Sequence, residues 1–589
     1  MNKTIYTYDI WDTILKRYCL PSYTLEISLY WLLLYLGKPE KHKEVYEKIK
    51  AQESDFFNRK EEYFIESIIV RTLIDNDLMD GFSNKIVTDT WRQIYYFVEV
   101  NCTYKNKEVI KLIESDYGDK LFISDFYTDS DFIKKLLHHH QVGVLDGVTS
   151  AEYGASKHAG SLYEKIELLK QRKWIHTGDN ELADITMAKR AGADVRLIKS
   201  QKKKEVNKFK IKNDYERLAF IVLSFSLFIL KTARKEKCNK IYFFTREGVF
   251  FKKIFDLLLS QIPNIVPSLT TEILPISRVA SLALKFNESD DFLGFNDALT
   301  QYGYGVSTFL SFFHLDEYYS ELTIKYTDVK ELLSHRNDPL VKELIKSIDD
   351  KKKRTENFLA SIEFDSEPSI IVDIGWRGSI QDNLMSRKSN RIRHGCYLGL
   401  FGFYPGQSSL NKSSVIFNNN EFNQKWTMKG VAFMETVFNA LDGSVVDYVN
   451  NQPKRKENEV EMKNSKQLIV MQDAIVEEFM NLSLMLKEGK LNINDIEILA
   501  IESYKKIVTN PSQEIADFYV GSIQNESFGL NDFIYKAFNI TVMDFFQSLI
   551  SKRKRNEIRI KLHRNGWRES ILKSSKVSLS AKLCSLLIR

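Results

Sequence analysis

The chain has 589 residues, of which 43% are hydrophobic, 28% charged and 12% aromatic, with only 25 Gly and 10 Pro. That composition excludes collagen-like, low-complexity and mostly disordered chains, and the length provides for at least two cores. The net charge of +6 is unevenly placed: residues 551–589 hold twelve Lys/Arg and two Asp/Glu, so a mildly acidic body carries a basic tail, which argues against nucleic acid as a partner.

In chain order, a short β-prone run at 4–8 ends at Asp9. From 25 to about 110 the pattern is helical, with Glu26, Lys43, Glu47, Lys48 and Glu66 alternating with apolar residues at three- and four-residue spacing. Strand-like runs return at 120–124, 147–150, 174–177 and 195–198, separated by helical stretches at 131–138, 161–169 and 182–191. Alternation of this kind predicts an α/β unit with a parallel sheet, and the long insert after the first strand reads as a helical cap over its carboxyl edge. The lysine-rich stretch 199–212 reads as a hinge, and 218–230 as a buried helix. Strands at 240–245, 271–276, 369–373 and 395–401 then define a second, Rossmann-like α/β unit. From Asn451 the chain reads as helical and charged, with Pro511 as punctuation. The expected division is 1–200 (cap about 20–110), 213–450, a helical region 451–550, and a basic amphipathic tail 551–589.

Four stations in the first unit carry chemistry. Asp9 ends the first strand, where a carboxylate serves as metal ligand, nucleophile or helix cap. Ser124 ends a second strand, Lys157 precedes a helix, and Asp179 and Asp184 bracket the exit of another strand. On one rim of a parallel sheet they would supply carboxylates for a hard cation, with a hydroxyl and an ammonium for a phosphoryl group. In this order and spacing, residues 1–200 resemble the haloacid dehalogenase superfamily. The resemblance implies Asp9 as nucleophile, Ser124 and Lys157 as its catalytic partners, and Mg²⁺ held by Asp9, Asp179 and Asp184. Attack by Asp9 would give an aspartyl-phosphate that water cleaves, with Lys157 lowering the nucleophile's pKa.

One position departs from that pattern. The family's phosphatases carry a second Asp two residues after the nucleophile, and here that residue is Trp11. General acid/base help is worth about 10²–10⁴ in rate, and an indole does not supply it. Three alternatives follow: a leaving group that needs no acid, a proton from Asp12 or a cap residue, or a weak or inactive phosphate-binding module. The family's dehalogenases also lack this Asp, so a non-phosphate substrate stays open. Asp12 and Thr13 are read either as substrate contacts or as caps of the following turn. Asp125 and Asp129 read as loop or capping residues. His138, His139 and His140 read as a helix terminus rather than a metal site, and His158 and His176 have no ligand spacing.

In the second unit, a strand runs into Phe243-Phe244-Thr245-Arg246-Glu247-Gly248, Arg278 follows another strand, and Asp373-Ile374-Gly375-Trp376-Arg377-Gly378-Ser379 follows a third. Arg246, Arg278, Arg377 and the turn at Gly375 and Gly378 suggest an anion site. The bland alternative is that the glycines only permit tight strand–helix packing and that Trp376 is core. Together with Asp9-Ile10-Trp11-Asp12-Thr13, these segments resemble the large proteins with this domain found in bacterial capsule and O-antigen biosynthesis, over about 1–450 and more loosely to about 550. The resemblance implies a Mg²⁺-dependent phosphohydrolase or phosphotransferase acting on a phosphorylated sugar. The alternative is a glycosyl- or glycosyl-phosphate transferase with its main site in the second unit and a weak first site. Partners so implied are a phosphorylated sugar, a nucleotide sugar or a lipid-linked glycan.

Cys19, Cys102, Cys238, Cys396 and Cys584 are scattered and odd in number, which points to a reducing compartment. No leader-like apolar run follows Met1, and the apolar runs 27–36 and 218–230 fall short of the ~20 residues that span a bilayer. A cytoplasmic protein is expected. Its tail, with Lys552, Arg553, Lys554 and Arg555 followed by Ile558, Ile560, Leu562, Trp567, Ile571 and Leu572, would lie on the inner membrane surface. The alternative is a helix packed on the second unit.

Overall fold

β-branched and aromatic residues make β1 (Ile5–Tyr8) a natural strand, buried along most of its length in the centre of a five-stranded sheet. The computed structural model describes residues 3–143, 145–199, 209–264, 269–287, 305–313, 315, 320–403, 407–420, 424–456, 465–525, 533–535, 542–564 and 567–575. It has two compact units: Met1–Lys210 with Gln261–Pro267 and Ser483–Ile493, and Ile211–Ser260 with Ser268–Leu482 and Asn494–Arg589. Both are built on parallel sheets flanked by helices, a mixed α/β architecture.

In the first unit, β1 is followed by β2 (Leu15–Arg17), β3 (Thr103–Lys105), β4 (Asp119–Ser124), β5 (Asp146–Thr149), β6 (Trp174–Gly178) and β7 (Asp194–Leu197). The sheet order is β5-β4-β1-β6-β7, every neighbour parallel, with Tyr8 opposite both Phe122 and Thr177. The chain steps outward through β4 and β5, then returns to the other side of β1. The crevice between β1 and β6 is therefore the turning point of the topology, where α/β sheets bind ligands. Ile5, Ile123, Leu162, Tyr163, Trp174 and Ala188 fill the core beneath it. A fully buried Ile or Leu among them contributes about 1.5–3 kcal/mol.

The helical insert is as expected. It contains α1 (Pro21–Tyr35), α2 (His42–Arg59), α3 (Ile65–Asp75) and α4 (Asn84–Cys102). α1 starts with Pro in its first turn, and Ser83 caps α4 by accepting from the Ile86 N–H. The sequence reading did not include the antiparallel ribbon β2–β3, through which the chain enters and leaves the insert. Three-residue strands are too short for alternation to register. The helix read at 182–191 is a π-helical turn, Glu181–Met187, continued by Ala188–Arg190.

The second unit opens with the helix Asp214–Lys235, capped by Asn213 and buried along most of its length. Its strands are β8 (Lys240–Phe244), β9 (Thr270–Leu274), β10 (Ser369–Asp373), β11 (Ile392–Leu400) and β12 (Lys412–Asn418), in the order β12-β11-β10-β8-β9 and all parallel. The edge strand β12 escaped sequence reading because Lys412, Ser413 and Ser414 hide its apolar half. The helical reading from Asn451 onward needs correction: β13 (Ser444–Val449) and β14 (Gln452–Lys456) form a hairpin across that boundary, and β15 (Ile523–Asn525) pairs with β16 (Phe533–Tyr535).

The tail follows the packing alternative. In the helices Lys552–Arg564 and Arg568–Ser574, Ile558, Leu562, Ile571 and Leu572 are buried within the protein, as is Trp567 just before the second. The Trp567 indole donates to the Val508 carbonyl at 2.9 Å and packs on Phe433 and Tyr519. The apolar side offered to a membrane is thus largely consumed by folding, and only Ile560 of that set is exposed. The end of the tail at 576–589 and most of the hinge, 200–208, lie outside the described residues. Among the described residues, no helix is long and apolar enough to cross a membrane, and four cysteines are buried free thiols.

Candidate functional site

The ends of β1 and β6 deliver Asp9 and Asp179 to the turning-point crevice, and the Asp9 N–H donates to the Thr177 carbonyl at 2.9 Å. Asp184 comes from the π-helical turn after β6, a distortion often found at functional sites. Its Oδ2 accepts from the Asn180 N–H at 2.9 Å. Gly178 is required here, because a Cβ would lie 2.3 Å from the Asp184 carboxyl carbon. Lys157 arrives from the loop before the helix Ser161–Lys165. Asp125 fastens that loop by accepting from the Lys157 and His158 N–H groups at 2.6 and 3.0 Å.

The result is a buried constellation. The Lys157 ammonium donates to Asp9 Oδ1 at 2.5 Å and to Asp184 Oδ1 at 2.6 Å. One oxygen from each of Asp9, Asp179 and Asp184 lies within 4.8 Å of the others. Three carboxylates thus face one ammonium. Burial pushes the Asp9 carboxyl up to about 8, with Asp184 and Asp179 adding to the rise and Lys157 opposing it. Asp184 is buried too, yet Lys157 and His176 hold it below the usual carboxylate range. Burial works against the Lys157 ammonium, but Asp9 and Asp184 raise it well above its ordinary value. His176 is kept neutral, chiefly by burial. With Nε2–H directed to Asp184 at 3.3 Å, Nδ1 accepts from the Thr7 hydroxyl at 2.8 Å, a tautomer assigned from this network.

The crevice also contains Thr13, whose hydroxyl donates to Asp179 Oδ1 at 3.4 Å. Asp12 sits in a left-handed turn at φ 59° and its charge acts on Asp179. Ser124 ends β4 wholly buried, and its hydroxyl has no hydrogen-bond partner among the described residues. The donor set fits a hard divalent cation, since it is all oxygen, carboxylate-rich and short of positive charge.

Trp11, two residues past Asp9, is held between Arg17 and Phe126. The Arg17 guanidinium lies 3.5 Å from its ring centroid and the Phe126 ring 4.8 Å from it. Arg17 is fixed by two hydrogen bonds to Glu99 of α4, at 3.1 and 3.0 Å, and Tyr95 adds a third to that carboxylate at 2.7 Å. A carboxyl that sequence reading missed lies in the cap: Glu62 faces Asp125, Ser150 and Ser156, and burial raises it above its ordinary value. It stands between two helices with no motif around it, so only the fold reveals it. His140 binds Thr103 at 2.9 Å and is pushed down to about 4, chiefly by burial, in keeping with a structural histidine.

In the second unit the residues read as an anion site have separate engagements. Arg246 contacts Asn439 and Glu247 at 3.4 and 3.5 Å, and Arg377 donates to the Gly402 carbonyl. Gly375 and Gly378 answer to close packing: added Cβ atoms would lie 2.3 Å from the Gly399 carbonyl oxygen and 2.7 Å from the Tyr397 hydroxyl. Trp376 stacks on Phe401 and Phe417 and donates to Glu435 at 2.9 Å. Arg278 instead faces Asp373, a residue not singled out from sequence. Burial pushes Asp373 up to about 8, Glu247 and Glu435 add to the rise, and Arg278 opposes it.

No family model matches the chain, and no curated protein matches it. Among solved structures, a 2-haloacid dehalogenase from Pseudomonas syringae is similar over 36% of this chain and 92% of that chain, at 16% identity and a TM-score of 0.26.

Proposed function

We propose that the first unit is a Mg²⁺-dependent phosphohydrolase or phosphotransferase of the haloacid dehalogenase type, acting on a phosphorylated sugar or related substrate of surface polysaccharide biosynthesis. The observation that carries this reading is the meeting of Asp9, Asp179 and Asp184 within 4.8 Å around the Lys157 ammonium. Sites with more carboxylates than cations favour a hard divalent ion, and phosphoryl transfer uses one. When bound to Asp9, Asp179 and Asp184, Mg²⁺ would screen the repulsion between a carboxylate nucleophile and an anionic ester.

Lys157 holds Asp9 Oδ1 and so presents Oδ2 for in-line attack. The new bond joins Oδ2 to phosphorus as the ester P–O bond breaks. Water, or an acceptor hydroxyl in the transferase variant, then displaces the aspartyl group. The ammonium of Lys157 and the unpartnered Ser124 hydroxyl are the donors available to phosphoryl oxygens. The leaving oxygen takes its proton from Glu62, a cap carboxyl that burial raises above its ordinary value. The test is phosphate release from a panel of sugar phosphates and nucleotide sugars, with and without Mg²⁺. Release dependent on Mg²⁺ and lost in Asp9→Asn supports the reading, and turnover retained by Asp9→Asn defeats the nucleophile role.

A second reading places glycosyl or glycosyl-phosphate transfer in the other unit. What favours it is Asp373 at the end of β10 with the buried Glu247 just past β8, and the charges of Glu435 and Arg278 acting on that carboxyl, together with Trp11 standing where an acid would help. Transfer from a nucleotide sugar that is lost in Asp373→Asn, with Asp9→Asn unaffected, would select it.

A further inference from the structure

Away from its strand ends, the second unit holds a cavity of about 550 Å³ between the helix Pro339–Ser361 and the hairpin β13–β14. Small-molecule sites usually fall between about 300 and 1,000 Å³. Ser347, Asp350, Lys351 and Arg354 reach it from the helix, and their spacing places them on one face. Val446 and Asp447 both line it, although successive strand residues ordinarily face opposite ways. The register shift between Val445 and Asp447 is the bulge that re-aims them. Lys454, Arg455 and Lys456 of β14 add positive charge, and Phe313 and Leu315 add an apolar surface.

Lys351 stands out in this lining. It is 3% exposed, and among the described residues its ammonium has no hydrogen-bond or ion-pair partner. It makes a ring contact, with Nζ 5.3 Å from the Phe313 centroid. Arg354, by contrast, is paired, donating to both Asp447 oxygens at 3.1 and 2.8 Å. An ammonium left buried and unpaired is costly unless an anion completes it. Burial already pulls Lys351 down to about 8, with Asp447 opposing and Arg354 and Lys454 adding like charge.

We propose that this cavity binds a small organic phosphate, with phosphoryl oxygens on the Lys351 ammonium and the basic strand β14, and its apolar part on Phe313. The lining carries five cationic and two anionic side chains, and Arg354 neutralises one of the latter. A multiply charged phosphate balances the surplus where a single carboxylate does not. The assignment is independent of the chemistry at Asp9.

The probe is inorganic pyrophosphate, titrated calorimetrically into the full chain without divalent cations. The wild-type protein binds it, and Lys351→Met weakens binding about 10- to 100-fold, the worth of one charge-assisted hydrogen bond. Lys351→Arg retains binding. Thermal melting of Lys351→Met at or above the wild-type temperature shows an intact fold, as expected when a buried unpaired charge is replaced by an apolar chain of similar length. Equal affinity in wild type and Lys351→Met overturns the proposal, as does the absence of wild-type binding. Labelling with pyridoxal 5′-phosphate gives an independent measurement. Its aldehyde condenses with a lysine amine with loss of water, and added borohydride reduces the imine to a stable secondary amine. A tag on Lys351 that pyrophosphate prevents supports the site, and tags on surface lysines alone, indifferent to pyrophosphate, refute it.

Discussion

Each unit places a carboxylate beside the turning point of its parallel sheet, Asp9 just past β1 and Asp373 at the end of β10. Both are pushed up to about 8, chiefly by burial. Their surroundings differ. Around Asp9, a buried ammonium bridges two carboxylates and a third stands close by. Around Asp373, two glutamates add like charge, Arg278 is the opposing cation, and the carboxyl accepts from its neighbour's N–H at 2.9 Å. The comparison shows that topology offers a position and nothing more. The first position is furnished with clustered carboxylate oxygens and an ammonium, for a hard cation and an anion together, and the second with a carboxyl among like charges and one opposing cation.

The sharpest way to break this contrast is Asp9→Asn, expected to reduce phosphate release by about 10⁴ or more, as loss of a nucleophile does, while leaving any activity of the second unit intact. Next is Lys157→Met. It leaves Asp9 and Asp184 facing each other in a buried site without their ammonium, and breaking such a pair costs about 3–5 kcal/mol. Urea unfolding reads that loss, and added Mg²⁺ is expected to restore part of it by binding the folded state. Glu62→Gln is expected to lower turnover by about 10² and to remove the alkaline limb of its pH profile, with urea stability close to wild type.

The smallest effect is a slope. A carboxyl raised in the folded state stabilises fully below its unfolded pKa, and that contribution is lost as pH rises through the folded value. Wild-type stability is therefore expected to decline between about pH 4 and pH 8, and Asp373→Asn to make that decline shallower in a series of melting temperatures. An unchanged slope would mean that Asp373 is not held above its ordinary value, and the contrast between the two crevices would fade.

Much of the first site was legible in sequence because each member sits at a local landmark. Asp9 and Asp179 follow strands, Lys157 precedes a helix, and Asp184 lies one turn into another. Glu62 and the role of Asp125 in pinning the Lys157 loop depend on chain segments that meet only in the fold. Trp11 was recognised as a departure, but its clamping between Arg17 and Phe126 was not, since Arg17 draws its position from Glu99 far along the chain. In the second unit the glycines were read two ways, and the close approach of Gly375 to β11 shows why the packing alternative had force. The tail stayed open between two readings because amphipathicity does not say which surface its apolar side will meet. Trp567 found Val508, Phe433 and Tyr519.

The short ribbon β2–β3 has a consequence for how ligands come and go. Both crossings between the sheet and the four-helix insert pass through these paired three-residue strands, and Arg17 on one of them is bolted to Glu99 near the end of the fourth helix. Trp11 rests against Arg17 at that post, so any hinging of the insert about the ribbon would keep the indole near its axis while shifting Glu62 relative to Asp125.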